Sequence, residues 1–187
     1  KTSVVLGEEE KVLYGKGFIL DTLCGKTYAI SPRSFYQINH AQTEVLYGLA
    51  VEAAKLTGKE VVLDAYCGIG TIGLCAAPHA GQVIGAEIVP EAIEDAKENA
   101  KRNNIANVVF FCGDASAVAA DFAAKGLRPD VICVDPPRKG LTPEVVQAAA
   151  QLLRRRMQTP SPHRTALSRN SISLSLETKQ TLRSHLR

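Results

Sequence analysis

The stretch Leu63-Asp64-Ala65-Tyr66-Cys67-Gly68-Ile69-Gly70-Thr71-Ile72-Gly73 reads as a β-strand that runs into a glycine-rich turn and opens a helix. Glycines 68, 70 and 73 satisfy G-x-G-x-x-G, and Glu87 follows Gly68 by 19 residues, the spacing at which an acid meets a ribose hydroxyl. Two ligands suit such a turn. A nicotinamide dinucleotide would set its pyrophosphate on the helix N-terminus. S-adenosylmethionine carries no phosphate and asks instead for close backbone approach, an acid for its ribose and carboxylates that tolerate a sulfonium cation. Asp64 at the mouth of the strand favours the second, because a carboxylate repels a pyrophosphate and attracts a cation.

A second chemical feature is Val134-Asp135-Pro136-Pro137-Arg138-Lys139-Gly140. Two prolines stiffen the backbone and remove two N–H donors, so Asp135 and the neighbouring carbonyls are held toward a cleft. Enzymes that methylate exocyclic amines carry a related bracket ending in an aromatic residue that stacks on a flipped base. Here Arg138 takes that place, which disfavours amine methylation and suits contact with RNA. A third feature is Ser34-Phe35-Tyr36-Gln37-Ile38-Asn39, in which Asn39 is expected to cap a helix, Phe35 to enter the core, and Gln37 has no evident structural task.

The elements that must position these residues follow from periodicity. Short β-branched runs at 61–65, 83–87, 108–111 and 131–135 alternate with helical patterns, the signature of a parallel sheet built from βα units. Three of the four runs deliver an acid at or near their C-terminal end (Asp64, Glu87, Asp135), and Gly113-Asp114 follows the other closely; that edge of an open α/β sheet is where ligands bind. The helix after the second run begins at Pro90, has Glu91, Glu94 and Asp95 at its positive end and Ile93, Ala96 and Ala100 on one face, and ends at Asn103-Asn104. An earlier helix, about 41–56, presents Val45, Leu46, Leu49, Ala50 and Ala53 for packing on the sheet, with Thr57-Gly58 closing it. Residues 1–30, with turns at Gly7, Gly15, Gly17 and Gly25, predict a small β extension. Beyond about Arg156 the periodicity dissolves, although Ile172, Leu174 and Leu176 alternate with polar neighbours as an edge strand would. The expected division is therefore 1–40, a β extension that contacts the cofactor; 41–156, the cofactor-binding core; and 157–187, a basic tail.

Composition bounds these readings. A chain of 187 residues, 45% hydrophobic and 22% charged, suits one soluble α/β domain, and no apolar run approaches the roughly 18 residues that a membrane helix needs. The five cysteines are scattered with neither C-x-x-C pairs nor His at metal spacing, which predicts small buried hydrophobes, no metal and a reduced, cytoplasmic compartment. Charge is segregated: residues 1–150 hold 14 Lys and Arg against 18 Asp and Glu, whereas 151–187 hold 8 against 1. A basic end of that kind suits nucleic acid.

Taken in order and spacing, Ser34-Phe35-Tyr36-Gln37-Ile38-Asn39, Asp64-x-Tyr66-Cys67-Gly68-x-Gly70-Thr71, Ala86-Glu87-Ile88 and Asp135-Pro136-Pro137-Arg138-x-Gly140 resemble the bacterial uracil-C5 RNA methyltransferases that make 5-methyluridine in 23S ribosomal RNA and tRNA. The resemblance covers roughly residues 1–150. It implies a Rossmann-like S-adenosylmethionine-dependent methyltransferase fold, mostly parallel with helices on both faces, S-adenosyl-L-methionine as cofactor, and RNA as partner, ribosomal RNA ahead of tRNA. It also implies that Gln37, Tyr66, Thr71, Glu87, Asp114 and Asp135 line the cofactor site beside Asp64, Gly68 and Gly70, with Glu87 on the ribose and Asp114 near the adenine.

The family's chemistry needs more. A Cys thiolate adds to C6 of uracil, C5 takes the methyl, a base strips the C5 proton and the enzyme is eliminated. That cysteine follows the next strand, yet no cysteine follows Cys133 and Glu177 is the only acid beyond residue 150. The expectation is a methyltransferase domain without its catalytic cysteine in this form; a base-amine methyltransferase using the Asp-Pro-Pro bracket, or a non-catalytic cofactor- and RNA-binding remnant, are the alternatives. Cys67, in the cofactor turn, is a poor substitute nucleophile. The change of charge and periodicity near residue 155 reads as an altered frame or degraded gene end. Sequencing the coding DNA through that point is expected to show the family's motif in another frame.

Overall fold

Alternating residues of the strands face two different layers, and this organises the whole molecule. A computed structural model of the chain describes residues 7, 9–126, 128–135, 143, 146, 147 and 171–173. Five parallel strands form the main sheet: β3 (Val61–Asp64), β4 (Gln82–Glu87), β5 (Val108–Cys112), β6 (Val131–Val134) and β7 (Ser171–Ser173), in spatial order β5-β4-β3-β6-β7. Before them come an antiparallel hairpin, β1 (Ile19–Leu23) and β2 (Lys26–Ile30), and helix α1 (His40–Ala54). Helices α2 (Thr71–Ala76), α3 (Pro90–Arg102) and α4 (Ala115–Ala124) connect successive strands.

Val62, Val83, Val131 and Cys133 point to one face, where they join buried residues of α1, α2, α3 and the hairpin. Their sequence neighbours Leu63, Ile84, Ile132 and Val134 point to the other, against Ala115, Ala119 and Phe122 of α4. Both faces are thus covered, which is why the central strands carry unbroken apolar runs. The fold is the Rossmann-like α/β arrangement that the alternation of strands and helices predicts. Among the described residues no helix is long and apolar enough to cross a membrane.

The strand boundaries fall within a residue of those read from the sequence, and α3 begins at Pro90 and ends with Asn103 as its C-cap. Two packing expectations need correction. Phe35 is 75% exposed, outside the core. On α1 Ala50 is buried and Leu46 is half-buried against the core as expected, beside buried Thr43, Tyr47 and Ala54, while Val45 and Leu49 are about half exposed and Ala53 is exposed. Apolar side chains lie on more than one face of α1, so periodicity alone left its orientation open; the stripe that turns inward carries Tyr47. Asn39 caps the helix as expected, accepting from the Gln42 N–H at 3.3 Å. The cysteines divide: Cys67, Cys75 and Cys133 are buried, Cys24 is half-buried, and Cys112, on the edge strand β5, is exposed; all five are free thiols. In the basic C-terminal region Ser171–Ser173 pairs with β6, with Ile172 opposite Cys133.

The hairpin is tied to α3 by a polar stripe that apolar periodicity does not reveal. Asp95, Asn99 and Asn103 lie one turn apart on α3 and meet alternate residues along and beyond β2. Asn103 Oδ1 accepts from the Thr27 N–H at 2.8 Å while its amide donates to the Thr27 carbonyl at 2.7 Å. Asn99 does the same for Ala29, accepting at 2.7 Å and donating at 3.2 Å. Asp95 Oδ2 accepts from the hydroxyls of Ser31 and Ser34, each at 2.6 Å. Two side-chain amides therefore stand in for a neighbouring strand and satisfy the open edge of β2. Asn99, with no solvent exposure, also donates to the Ile69 carbonyl at 3.4 Å, inside the glycine turn. Replacing Asn99 by Ala strands the buried Ala29 N–H and carbonyl, so unfolding free energy should fall by about 1–3 kcal/mol; hydrogen exchange at Ala29 should accelerate in the same variant, and unchanged protection there would refute this assignment.

Candidate functional site

Parallel strands carry their last residues to one edge of a sheet, and three adjacent strands here end in acids. Asp64 closes β3, Glu87 closes β4 and Asp135 follows β6. Because β3 lies between β4 and β6, Asp64 feels the negative charge of both neighbours. It has no solvent exposure. Burial pushes its acid up to about 7 from an ordinary 3.8, Asp135 and Glu87 push the same way, and the backbone amides of Gly73 and, less, Tyr66 oppose them. The Gly73 amide donates to Asp64 Oδ2 at 3.0 Å, whereas Oδ1 is buried without a hydrogen-bond partner.

The glycine turn is sewn to the end of β4. The Cys67 N–H donates to the Ala86 carbonyl at 3.0 Å, the Gly68 N–H to Glu87 Oε2 at 3.2 Å, and the Gly70 N–H to the Cys67 carbonyl at 2.8 Å. Gly70 sits at φ +85°, and a Cβ there would come within 3.2 Å of the Phe110 ring, so conformation and space both demand glycine. Gly73 serves close packing: a Cβ would stand 3.1 Å from Val83 and 3.2 Å from Asp64 Oδ2. Its bare α-carbon lets the first turn of α2 close onto β3 and bring an N–H to the buried carboxylate. The other oxygen of Glu87 accepts from the N–H groups of Ile88 and Val89 at 2.8 and 3.0 Å, so Glu87 brackets the glycine turn against the entry to α3.

The structure therefore gathers Asp64, Gly68, Gly70, Thr71, Glu87 and Asp135 at one edge. Tyr66 is half-buried toward the α4 layer, its phenol pushed up by burial and by Asp114. Asp114 is exposed at the start of α4; its Oδ1 accepts from the Ser116 N–H at 2.9 Å and from the Ser116 hydroxyl, which together hold its carboxyl below the usual range. Gln37 is half-buried between β2 and α1, and its neighbour Tyr36 places a ring 6.4 Å from that of Tyr28. Pro136, Pro137 and Arg138 lie outside the described residues. Cys67 is 4% exposed, and burial, Asp64 and Glu87 all drive its thiol upward, the opposite of what activates a thiolate.

Three residues of this neighbourhood escaped the sequence reading. Asn99 holds the Ile69 carbonyl, as described above. Tyr28 and Tyr47, 0% and 3% exposed, both reach Thr71: the Tyr28 hydroxyl donates to its carbonyl at 3.4 Å, and the Tyr47 hydroxyl meets its Oγ1 at 3.1 Å. A polar atom on a core aromatic needs a partner, but nothing in the sequence says where that partner lies. Among the described residues gathered at this edge the set offers carboxylates, hydroxyls and backbone amides, with no Lys or Arg. Such donors fit a cationic nucleoside better than a pyrophosphate.

Residues 56–158 match the sequence model of the family described as "Methyltransferase domain". The chain belongs to this methyltransferase-domain family. Among its relatives is an uncharacterized RNA methyltransferase of Staphylococcus aureus, 49% identical over 173 residues that make up 92% of this chain and 38% of the relative. Another, from Halalkalibacterium halodurans, is 57% identical over 140 residues, 75% of this chain and 31% of the relative. The chain thus spans about a third of the length of the curated relatives it matches. Among solved structures it resembles the Pyrococcus abyssi tRNA (uracil-54, C5)-methyltransferase in complex with S-adenosyl-L-homocysteine, with a TM-score of 0.66 and 30% identity over 81% of this chain and 36% of that one. Trm5b of Pyrococcus abyssi, 20% identical with a TM-score of 0.61 over 78% of this chain and 44% of that one, shares the fold.

The buried carboxylate generates a pH signature. The unfolded chain releases the Asp64 proton near pH 4, while the folded chain holds it until about pH 7, so this residue's contribution to stability is full at low pH and is lost as pH rises through that window. At about 1.4 kcal/mol per pH unit, the loss between pH 5 and pH 7 is on the order of 2–3 kcal/mol. Urea unfolding at pH 5 and pH 8 should show this decline in the parent chain and its near-disappearance in Asp64→Asn; identical pH slopes in both would contradict the burial described.

Proposed function

We propose that this chain is the S-adenosylmethionine-binding part of an RNA uracil-C5 methyltransferase, acting on ribosomal RNA in the cytoplasm. The observation that carries the reading is the gathering of Asp64, Glu87 and Asp135 at the sheet edge from which the glycine turn departs. The solved relative at 30% identity holds S-adenosyl-L-homocysteine and acts on a uracil C5, which supports both the cofactor and the target class. Relatives described as RNA methyltransferases support RNA as the substrate, and five free thiols suit a reducing compartment.

S-adenosylmethionine, when bound, supplies an electrophilic methyl group on a sulfonium. In this reading Glu87 keeps Gly68 in place with one oxygen and offers the remaining lone pairs of its carboxylate to a ribose. Asp64, sealed from solvent, acts from below by holding the first turn of α2. Asp135, at the end of β6 and close enough to raise the Asp64 acid, adds negative field for the cation. Asp114, which caps α4, would take the adenine with Tyr66 beside it, and Gln37 would close the site from the N-terminal segment. The covalent step needs a thiolate. Cys67, Cys75 and Cys133 are buried with thiols pushed up, so none of the three serves.

Calorimetric titration with S-adenosylhomocysteine tests the cofactor assignment. The parent chain should bind, and Glu87→Ala and Asp135→Ala should each weaken binding by roughly 10-fold or more, as loss of a charged hydrogen-bonding or field partner does; unchanged affinity in both variants would overturn the site. Incubation with 5-fluorouracil RNA tests the covalent chemistry. No stable adduct is expected from this chain, methyl transfer without an adduct would favour base-amine chemistry, and an adduct would show that one of its cysteines is the nucleophile after all.

A further inference from the structure

Thr71 is the first residue of α2 and directly follows the glycine turn, yet its carbonyl and its hydroxyl are held by residues from far earlier in the chain. Tyr28 comes from β2 and Tyr47 from α1, and both precede the 56–158 stretch that matches the family. The hydroxyl of Tyr28 donates to the Thr71 carbonyl and that of Tyr47 meets Thr71 Oγ1, so one residue is gripped at the backbone and at the side chain. Both rings are core residues, with Tyr28 fully buried and Tyr47 3% exposed. Burial drives both phenols upward, so each remains a neutral hydroxyl throughout the physiological range. Tyr47 also lies within the field of Asp64 and Asp135, which places its hydroxyl beside the acidic edge.

We propose that Tyr28 and Tyr47 are positioning residues of the cofactor site, which fix Thr71 so that its hydroxyl meets the bound nucleoside in one orientation. The inference rests on the cofactor reading above and extends the site to a segment outside the matched core. The physical reason is the behaviour of an unrestrained threonine. At the first position of a helix its hydroxyl chooses between rotamers that face solvent and rotamers that face the ligand. A hydrogen bond from a rigid buried phenol selects one of them before the ligand arrives, and ordering that is already in place is not charged against binding. With Tyr47 donating to Oγ1, the threonine proton is left to point at a ligand acceptor; with Tyr47 accepting, the threonine lone pairs face a ligand donor. Either arrangement needs the phenolic oxygen and not merely the ring.

The test is S-adenosylhomocysteine titration of the parent chain, Tyr47→Phe, Tyr28→Phe, Thr71→Val, Thr71→Ser and the Tyr47→Phe/Thr71→Val double variant, with thermal unfolding of each alongside. Tyr47→Phe removes one oxygen and should weaken binding about five-fold, the effect of one hydrogen bond of ordinary strength. Thr71→Ser keeps the hydroxyl and should bind like the parent. In the Thr71→Val background Tyr47→Phe should cost nothing further, because its partner is already gone; a residue that only supported the core would weaken both backgrounds equally. Tyr28→Phe, which leaves Oγ1 alone, should weaken binding less than Tyr47→Phe. Parent-like affinity of Tyr47→Phe, or additive losses in the double variant, would overturn the proposal while leaving the cofactor reading intact. A parent chain that does not bind S-adenosylhomocysteine would overturn both.

Discussion

A carboxylate with no access to water and a hydrogen bond to only one of its oxygens is costly to maintain, and Asp64 sits in that state at the centre of the sheet. Two further acids stand on the adjoining strands and raise the cost. What offsets it is the geometry of a parallel strand that faces the first turn of the following helix, where backbone N–H groups are unpaired and the helix dipole is positive. Gly73 provides the N–H, and its lack of a side chain lets it come close enough. The tight turn at Gly68 and Gly70 follows from that constraint, since the chain must reverse between the end of β3 and a helix packed directly against it.

The glycine turn is in turn held by residues that belong to other layers. Glu87 fastens Gly68, Asn99 fastens the Ile69 carbonyl, and the two tyrosines fasten Thr71. Asn99 at the same time binds both polar groups of Ala29 in the hairpin. One fully buried amide thereby connects the N-terminal hairpin, the third helix and the turn. The hairpin is for this reason part of the site's support, even though its own chemistry is limited to backbone groups and phenols. Strand β1 tells a different story: Ile19 and Leu20, on opposite faces of the strand, are 67% and 58% exposed, so the hairpin's adhesion to the domain depends on Leu23, Tyr28 and Ile30 together with the polar stripe of α3.

Some features were legible residue by residue. The β-branched runs gave the four strands nearly to their ends because both faces of the central strands are covered and must be apolar throughout. Pro90 and Asn103 marked the limits of α3 by their restricted backbone chemistry, and Asn39 marked the start of α1. The expectation for Phe35 failed because a single aromatic residue in an irregular segment has no periodicity to orient it. The face of α1 was misread only in part, for a related reason: Leu46 and Ala50 pack on the core, but Val45 and Leu49 look as fit for burial as Tyr47, and only the shape of the surface they meet distinguishes them.

By itself the sequence determined the order of strands and helices, the position of the glycine turn and the delivery of acids to one edge, since these follow from local rules of period, proline, glycine and strand direction. Tertiary structure alone decided that Asp64 is sealed and holds Gly73, that Asn99 joins three elements, and that Tyr28 and Tyr47 meet at Thr71. These are contacts between residues distant along the chain, separated by 70 positions in the case of Asn99 and Ala29. A side chain's type states what partner it requires; which partner it finds depends on how layers stack, and no local pattern of the sequence records that distance.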